Sequence, residues 1–325
     1  MSIGLAEALW ITAPGRAELR PVALRAPGPG EALVRADWGG ISRGTEALVL
    51  RGGVPEAEHA RMRCPHQEGE FPFPVKYGYA QVGVVEAGPD ATLGRSVFCL
   101  HPHQDRFVVP VEALHPVPGD VPPGRAVLAA NMETALNGLW DGGPRPGDRI
   151  AVVGAGVVGA LAAYLCGRIP GTETTLVDID PSRAALAAAL GVGFAAPEHA
   201  PHDCDLVFHA SASAAGLATA IGCAGFEARV IELSWYGNNA VLVPLGGAYH
   251  AGRIKLVSSQ VGSVAESRRA RWSHGRRMDK AISLLADGRL DALLTGATPL
   301  RELPDTYPAV LGAPGTLCHR VRYDA

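Results

Sequence analysis

The chain has 325 residues, 47% of them hydrophobic, and a formal net charge of −3. That length is enough for two domains with substantial cores, and so even a charge balance argues against a polyanion-binding protein, so no nucleic-acid partner is expected. The six cysteines, at 64, 99, 166, 204, 223 and 318, are dispersed with no CxxC pair. This spacing argues against a disulfide framework and against a four-cysteine zinc lobe.

No basic start is followed by a long apolar segment, and no stretch of about 20 uncharged apolar residues occurs. The expectation is therefore a cytoplasmic protein with no membrane partner. Cys99, Cys166 and Cys223 stand in apolar company and read as buried fillers.

Residues 1–122 are rich in Gly, Pro and short β-patterned runs. The runs 7–11, 31–38, 81–86, 96–99 and 106–109, separated by turn signals, predict a compact β-rich domain. Residues 51–79 read as an unusually long loop, of the kind that is commonly functional or mobile. Pro122-Pro123-Gly124 marks a boundary, and 125–138 reads as a helix carrying Asn131, Met132, Glu133 and Thr134.

The stretch that organises the chain is 148–180. Ile150 to Val153 form an apolar run that reads as a strand buried on both faces, and it leads directly into Gly154, Gly156 and Gly159 and an Ala/Leu-rich helix. Strand, glycine turn and helix form the context that a dinucleotide fingerprint requires. Gly154 permits the tight turn, Gly156 lets the backbone approach a pyrophosphate, and Gly159 lets the helix pack on the strand. Val157 and Val158 open the helix, whose free N–H groups and positive dipole end face the phosphates.

A second strand, 174–177, ends in Asp178 and Ile179. Asp178 stands near the offset of about 20 residues expected for a carboxylate that binds a ribose 2′-hydroxyl, which favours NAD(H) over a 2′-phosphorylated cofactor. The alternative is a carboxylate that merely caps the nearby helix.

From 150 onward strands and helices alternate, at 150–153, 157–167, 174–177, 182–190, 205–209, 214–223, 228–234 and 254–259, which predicts a parallel sheet covered on both faces. Ligands of such sheets lie beyond the carboxyl ends of the strands. Ser211 and Ser213 follow one strand, Ser234, Trp235 and Tyr236 another, and Ser259 the last, so these are candidate cofactor contacts, with Trp235 and Tyr236 either walling the site or simply packing. The cluster Arg268-Arg269-Ala270-Arg271 with Arg276-Arg277 reads as a solvated helix face. A helix at 276–286, a strand at 292–294, a short helix at 303–311 and a strand at 316–323 complete the chain.

A β-rich first domain holding Gly-Gly-Ile-Ser-Arg-Gly-Thr-Glu (39–46) and Lys-Tyr-Gly-Tyr-Ala-Gln-Val-Gly-Val-Val-Glu-Ala-Gly (76–88), followed by a Rossmann unit, resembles the medium-chain dehydrogenase/reductase superfamily. The likeness covers nearly the whole chain and is nearest to the zinc-alcohol-dehydrogenase-like branch that includes bacteriochlorophyllide dehydrogenases. It implies an α/β protein in which residues 1–122 and 262–325 form a GroES-like catalytic domain and 123–261 a Rossmann NAD-binding domain. It also implies an active site between the two domains and a homodimer paired through the last strand of the sheet.

The departures from that family carry information. The zinc-ligating cysteine of the first loop is Ser42 here, and the family's Gly-His-Glu is Gly78-Tyr79-Ala80. Serine and tyrosine are poor replacements for cysteine and histidine in a tetrahedral zinc site, so loss of the catalytic zinc is expected. Thr45 matches the family's proton-relaying hydroxyl. Tyr79 is then expected to replace the Lewis acid by donating a hydrogen bond to a substrate oxygen, with Thr45 and Ser42 beside it, the alternative being that it fills vacated volume. His103 is a further candidate for handling the oxygen's proton, and a relocated metal site on His66, His101 and His103 is the weaker alternative. Arg43, Glu133, His66 and Trp235 are candidate substrate contacts. Glu133 would bind a substrate hydroxyl, pair with Arg43, or serve as an ordinary helix acid, and Glu46 matches an acid that orients its neighbours.

These readings converge on an NAD(H)-dependent oxidoreductase that interconverts a secondary alcohol and a ketone on a polar small molecule. The alternatives are an enone- or quinone-type double-bond reductase and a non-catalytic dinucleotide-binding or sensor protein.

Overall fold

The structure, a computed structural model, describes residues 2–323. It divides into two units, Met1–Ala130 with Met278–Ala325, and Asn131–Arg277.

The first unit is built on Glu31–Ile41, whose two sides are both occupied. It pairs antiparallel with Gln81–Ala87, Arg106–Pro110 and Cys318–Arg322. Ser96–Cys99 and His115–Pro116 extend this sheet at one end, and Leu294–Pro299 at the other. Ala32, Val34 and Ala36 on its inward face are at most 1% exposed. A smaller sheet in the order Arg16–Arg25, Ser2–Ala13, Val75–Lys76, Glu68–Gly69 completes the unit.

Arg16–Arg25 has no counterpart in the predicted strands. Only Leu24 of its ten residues is buried, so it lacks the apolar alternation by which a half-buried strand announces itself. It is held by a long register with Ser2–Ala13 that turns at Gly15, φ +71°. The expected 125–138 helix is two helices, Pro123–Ala126 and Ala129–Gly142, the second continuing until Gly143 takes a left-handed φ of +61°.

The second unit is a six-stranded, all-parallel sheet. Its order is Gly193–Ala195, Glu173–Val177, Arg149–Val153, Cys204–His209, Ala224–Glu232 and Lys255–Ser258. Numbered by appearance in the chain this is 3-2-1-4-5-6, the doubly wound order in which the first strand adjoins the topological switch point. Ile150, Ala151 and Val152 are wholly buried, as a strand with neighbours on both sides requires. Gly193–Ala195 is too short to show a periodicity. The helices Val157–Cys166, Arg183–Leu190 and Ala214–Cys223 pack on the sheet through small and aliphatic side chains such as Ala160, Leu186, Leu217 and Ile221.

All six cysteines are buried and unpaired. Among the described residues no helix is long and apolar enough to cross a membrane.

Gly159 shows how tightly the first helix meets its strand, since a Cβ there would stand 1.9 Å from the Gly154 carbonyl oxygen. Gly159→Ala should therefore cost about 1–3 kcal/mol in urea unfolding, because backbone has to move. Gly222→Ala, where a Cβ meets nothing within 4 Å, should change stability by less than about 1 kcal/mol. Equal effects at the two positions would contradict this packing.

Candidate active site

In the second unit the fingerprint glycines differ physically, as their spacing anticipates. Gly154 has φ +105°, and a Cβ on it would stand 2.6 Å from the Ser211 nitrogen. Gly156 is the N-cap of Val157–Cys166 with no side-chain cap, and a Cβ there would meet nothing within 4 Å. Two of the glycines are thus demanded by the protein's own packing. The third stands over open space at a helix N-terminus, which suits the approach of a phosphate. Val157 and Val158 form the first turn beside it.

Asp178 is tied to the same bend. Its Oδ2 accepts from the Ala155 N–H at 2.6 Å and its Oδ1 from the Asp180 N–H at 2.9 Å. Each carboxylate oxygen keeps a lone pair, so clamping the bend and accepting from a ribose hydroxyl are compatible. Ile179 next to it is 86% exposed, an unusual position for an isoleucine and one that offers an apolar surface beside the carboxylate. These residues fit an adenine dinucleotide.

Ser211, Ser213 and Ser234 come together beyond the strand ends. Ser211 Oγ lies 3.0 Å from Ser213 Oγ, and Ser234 Oγ accepts from the Ala212 N–H at 3.1 Å. Ser259 differs, because its hydroxyl donates to Asp141 Oδ2 at 2.6 Å. Trp235 is half-buried. Tyr236 donates to Glu232 Oε2 at 3.1 Å.

Glu133 is 6% exposed and pairs with Arg277 at 3.0 Å. Arg277 itself is 1% exposed and also donates to Asn137 Oδ1 at 2.5 Å, so the basic cluster is not wholly a solvated face. A buried guanidinium needs such a set of acceptors to be tolerated.

In the first unit Ser42, Thr45 and Tyr79 gather. The phenol of Tyr79 has the Ser42 and Thr45 hydroxyls as hydrogen-bonding neighbours, and burial pushes it far above its ordinary value, so it keeps its proton. Ser42 precedes the Arg43–Leu50 helix as its N-cap residue without capping it through its side chain. Tyr77 meets the Tyr79 ring edge-on, with centroids 6.0 Å apart.

Behind them lies Glu46, wholly buried. Its Oε1 accepts from the Ser42 N–H at 2.6 Å, and its Oε2 accepts from Tyr307 at 2.6 Å and lies 3.0 Å from His103 Nε2. His103 is also wholly buried, and Tyr323 stands 3.5 Å from its Nδ1. The histidine is thus part of the support under the hydroxyl cluster. His101 stacks on Phe107 at 4.0 Å, and burial holds its imidazole well below the usual value. His66 is exposed, with its ring 5.4 Å from that of His101. Arg43 donates to the Leu311 carbonyl at 3.1 Å, and Lys76 is buried against Glu68 and Gln104.

This donor set does not fit a tetrahedral zinc. It offers two aliphatic hydroxyls and a protonated phenol, with a carboxylate already engaged on both oxygens. Burial pushes the thiol of Cys64 nearby up to about 12. Among the described residues no group of three or more His, Cys, Asp or Glu side chains could hold a metal, the relocated histidine site included.

No family model matches the chain. Among curated proteins it is similar to the D-guloside 3-dehydrogenase of Escherichia coli, 24% identical over 330 residues, with 92% of this chain and 94% of the relative covered. Among solved structures it is similar to a zinc-binding dehydrogenase of Sinorhizobium meliloti bound to NADP, at TM-score 0.77 and 18% identity with 98% of this chain and 99% of the other covered. It is similar also to the L-idonate 5-dehydrogenase of E. coli, at TM-score 0.80 and 14% identity with 98% of each chain covered.

The chain has the fold of these dehydrogenases. It combines the GroES-like and Rossmann parts that the motifs implied.

Sequence reading missed Tyr307, Tyr323 and Gln81, which complete the network around Glu46 and His103, because no local pattern links positions so far apart. It also missed His209 and Glu232. His209 ends a predicted strand and Glu232 lies near the end of the next, and the two are register partners in adjacent strands, so two polar residues in otherwise apolar strands were the available signal. Tyr307→Phe should lower stability by about 1.5–3 kcal/mol by withdrawing a donor from a buried carboxylate, read as a lower urea midpoint. An unchanged midpoint would show that the Glu46 network carries no such weight.

Proposed function

We propose that the protein is an NAD(H)-dependent oxidoreductase that interconverts a secondary alcohol and a ketone on a polyhydroxylated small molecule, without catalytic zinc. The observation that carries this reading is the glycine bend with Asp178 clamped to it. Gly156 stands open to a phosphate while Asp178 keeps lone pairs for ribose hydroxyls. The carboxylate supports NAD(H), since a 2′-phosphate brought to it would meet a like charge. The relatives support the substrate class, because a guloside and an idonate are both rich in secondary hydroxyls.

When bound, the nicotinamide supplies or receives the hydride. The chain's own residues then have to manage the proton of the substrate oxygen. Tyr79 is suited to that task because burial keeps its phenol protonated, so it can donate to a carbonyl oxygen as negative charge develops there. The Ser42 and Thr45 hydroxyls beside it provide the path by which a proton returns. Glu46, anchored by Tyr307, fixes the backbone N–H of Ser42 and so the start of the helix that carries Thr45.

Tyr79→Phe should lower kcat by about 100-fold or more while leaving NADH affinity within about twofold. Exhaustive treatment with a chelator should leave wild-type turnover unchanged. Full activity in Tyr79→Phe, or activity lost to a chelator and restored by zinc, would contradict the proposal.

A further inference from the structure

The parallel sheet ends in a relay of three side chains that the reading above leaves unused. His209 closes Cys204–His209 and Glu232 closes Ala224–Glu232, as register partners. His209 Nδ1 lies 2.7 Å from Glu232 Oε2, and His209 Nε2 lies 2.6 Å from Ser211 Oγ. The imidazole is wholly buried. Burial acts to raise the Glu232 carboxyl, yet the hydrogen bonds from His209 and Ser234 hold it below its usual value.

The direction of each bond follows. An ionised Glu232 only accepts, so Nδ1 carries the ring proton. In the neutral ring Nε2 is then an acceptor and takes the Ser211 O–H. Ser213 Oγ stands 3.0 Å from Ser211 Oγ and accepts from the Gly216 N–H at 3.0 Å; with the Ser211 proton given to Nε2, the bond between the two hydroxyls is donated by Ser213. Both hydroxyl protons are consumed internally, and one lone pair remains on each oxygen. Such a pair receives a hydroxyl proton and has nothing to give a phosphate.

Acid, imidazole and hydroxyl in this order also occur in acyl-transfer triads. Here, however, the neighbouring Ala212 and Gly216 N–H groups are already bonded to Ser234 and Ser213 and do not serve an oxyanion. The packing is close as well, since a Cβ on Gly216 would stand 2.0 Å from Ser211 Oγ and 3.0 Å from His209 Nε2.

The position of the relay indicates what it serves. Asp178 follows the strand on one side of the glycine bend, His209 ends the strand on the other side, and Glu232 ends the strand beyond. Adjacent strands lie about 4.8 Å apart, so the relay starts about 5 Å past the bend and ends about 10 Å past it, away from Asp178. A dinucleotide held by its adenosine ribose at Asp178 and by its pyrophosphate at the bend carries its second nucleoside in this direction.

We propose that Glu232 and His209 are positioning residues that fix the Ser211 and Ser213 hydroxyls as acceptors for the ribose of the dinucleotide's second nucleoside. This rests on the dinucleotide reading above.

The test is a fluorescence titration of the full chain with NADH, and competition by AMP as the probe for the adenosine half. His209→Leu and Ser211→Ala should each raise the NADH Kd about tenfold, and leave the AMP Kd within about twofold. His209→Gln, whose amide oxygen can accept near the Nε2 position, should recover most of the loss, whereas the shorter His209→Asn should not. Gly216→Ala keeps the histidine itself unaltered and should give the same selective loss by displacing Ser211 from it. Unchanged NADH affinity, or equal losses of NADH and AMP affinity with no rescue by glutamine, would overturn the proposal. A wild-type chain that binds AMP but not NADH would overturn it too, while one that binds neither would remove the dinucleotide reading itself.

Discussion

The contact between Gly159 and the Gly154 carbonyl sets the geometry of the second unit. It lets a helix begin almost against the strand it follows, which turns the uncapped first turn of Val157–Cys166 toward the ends of the sheet. The bend is braced from two sides. Asp178 accepts the Ala155 N–H, and the chain around Ser211 lies close over Gly154. A carboxylate from one neighbouring strand and a serine-bearing turn from the other are thereby brought to one edge of the sheet, where a ligand can reach both.

The first unit depends on a different constraint, the burial of a carboxylate. Glu46 would be costly without partners, and it receives a backbone N–H, a tyrosine hydroxyl and a histidine contact. The residues that satisfy it come from three separate parts of the chain, so the acid ties the Arg43–Leu50 helix to the segments carrying His103 and Tyr307. A zinc ion in such a fold organises its ligands by its own charge. Here a fully bonded acid holds the backbone under Ser42, and burial keeps the phenol of Tyr79 beside it protonated.

What could be read from the sequence was local or strongly periodic. The bend at Gly154, Gly156 and Gly159, the strand before it and the placement of Asp178 all follow from residues within about 30 positions of one another, the span of one strand-helix-strand unit. The helix 214–223 coincides with its predicted limits because Ser213 caps it and its apolar face repeats with helical spacing. Arg16–Arg25 was invisible because it is mostly solvated, and Arg277 was misjudged because its acceptors, Glu133 and Asn137, lie about 140 residues away. The same limit applied to the site. Ser42 and Tyr79 stood out in the sequence, and the structure brings their side chains together. The depth of His103 and its tie to Glu46 did not, since burial of a histidine depends on packing that no single stretch encodes.

The central claim, that an adenine dinucleotide lies across the glycine bend, is tested most directly by amide hydrogen exchange of the full chain with and without saturating NADH. The account predicts slowed exchange at residues 155–159, 178–180 and 211–213 when NADH is present. Unaltered exchange in these three segments, or protection confined to other parts of the chain, would contradict it.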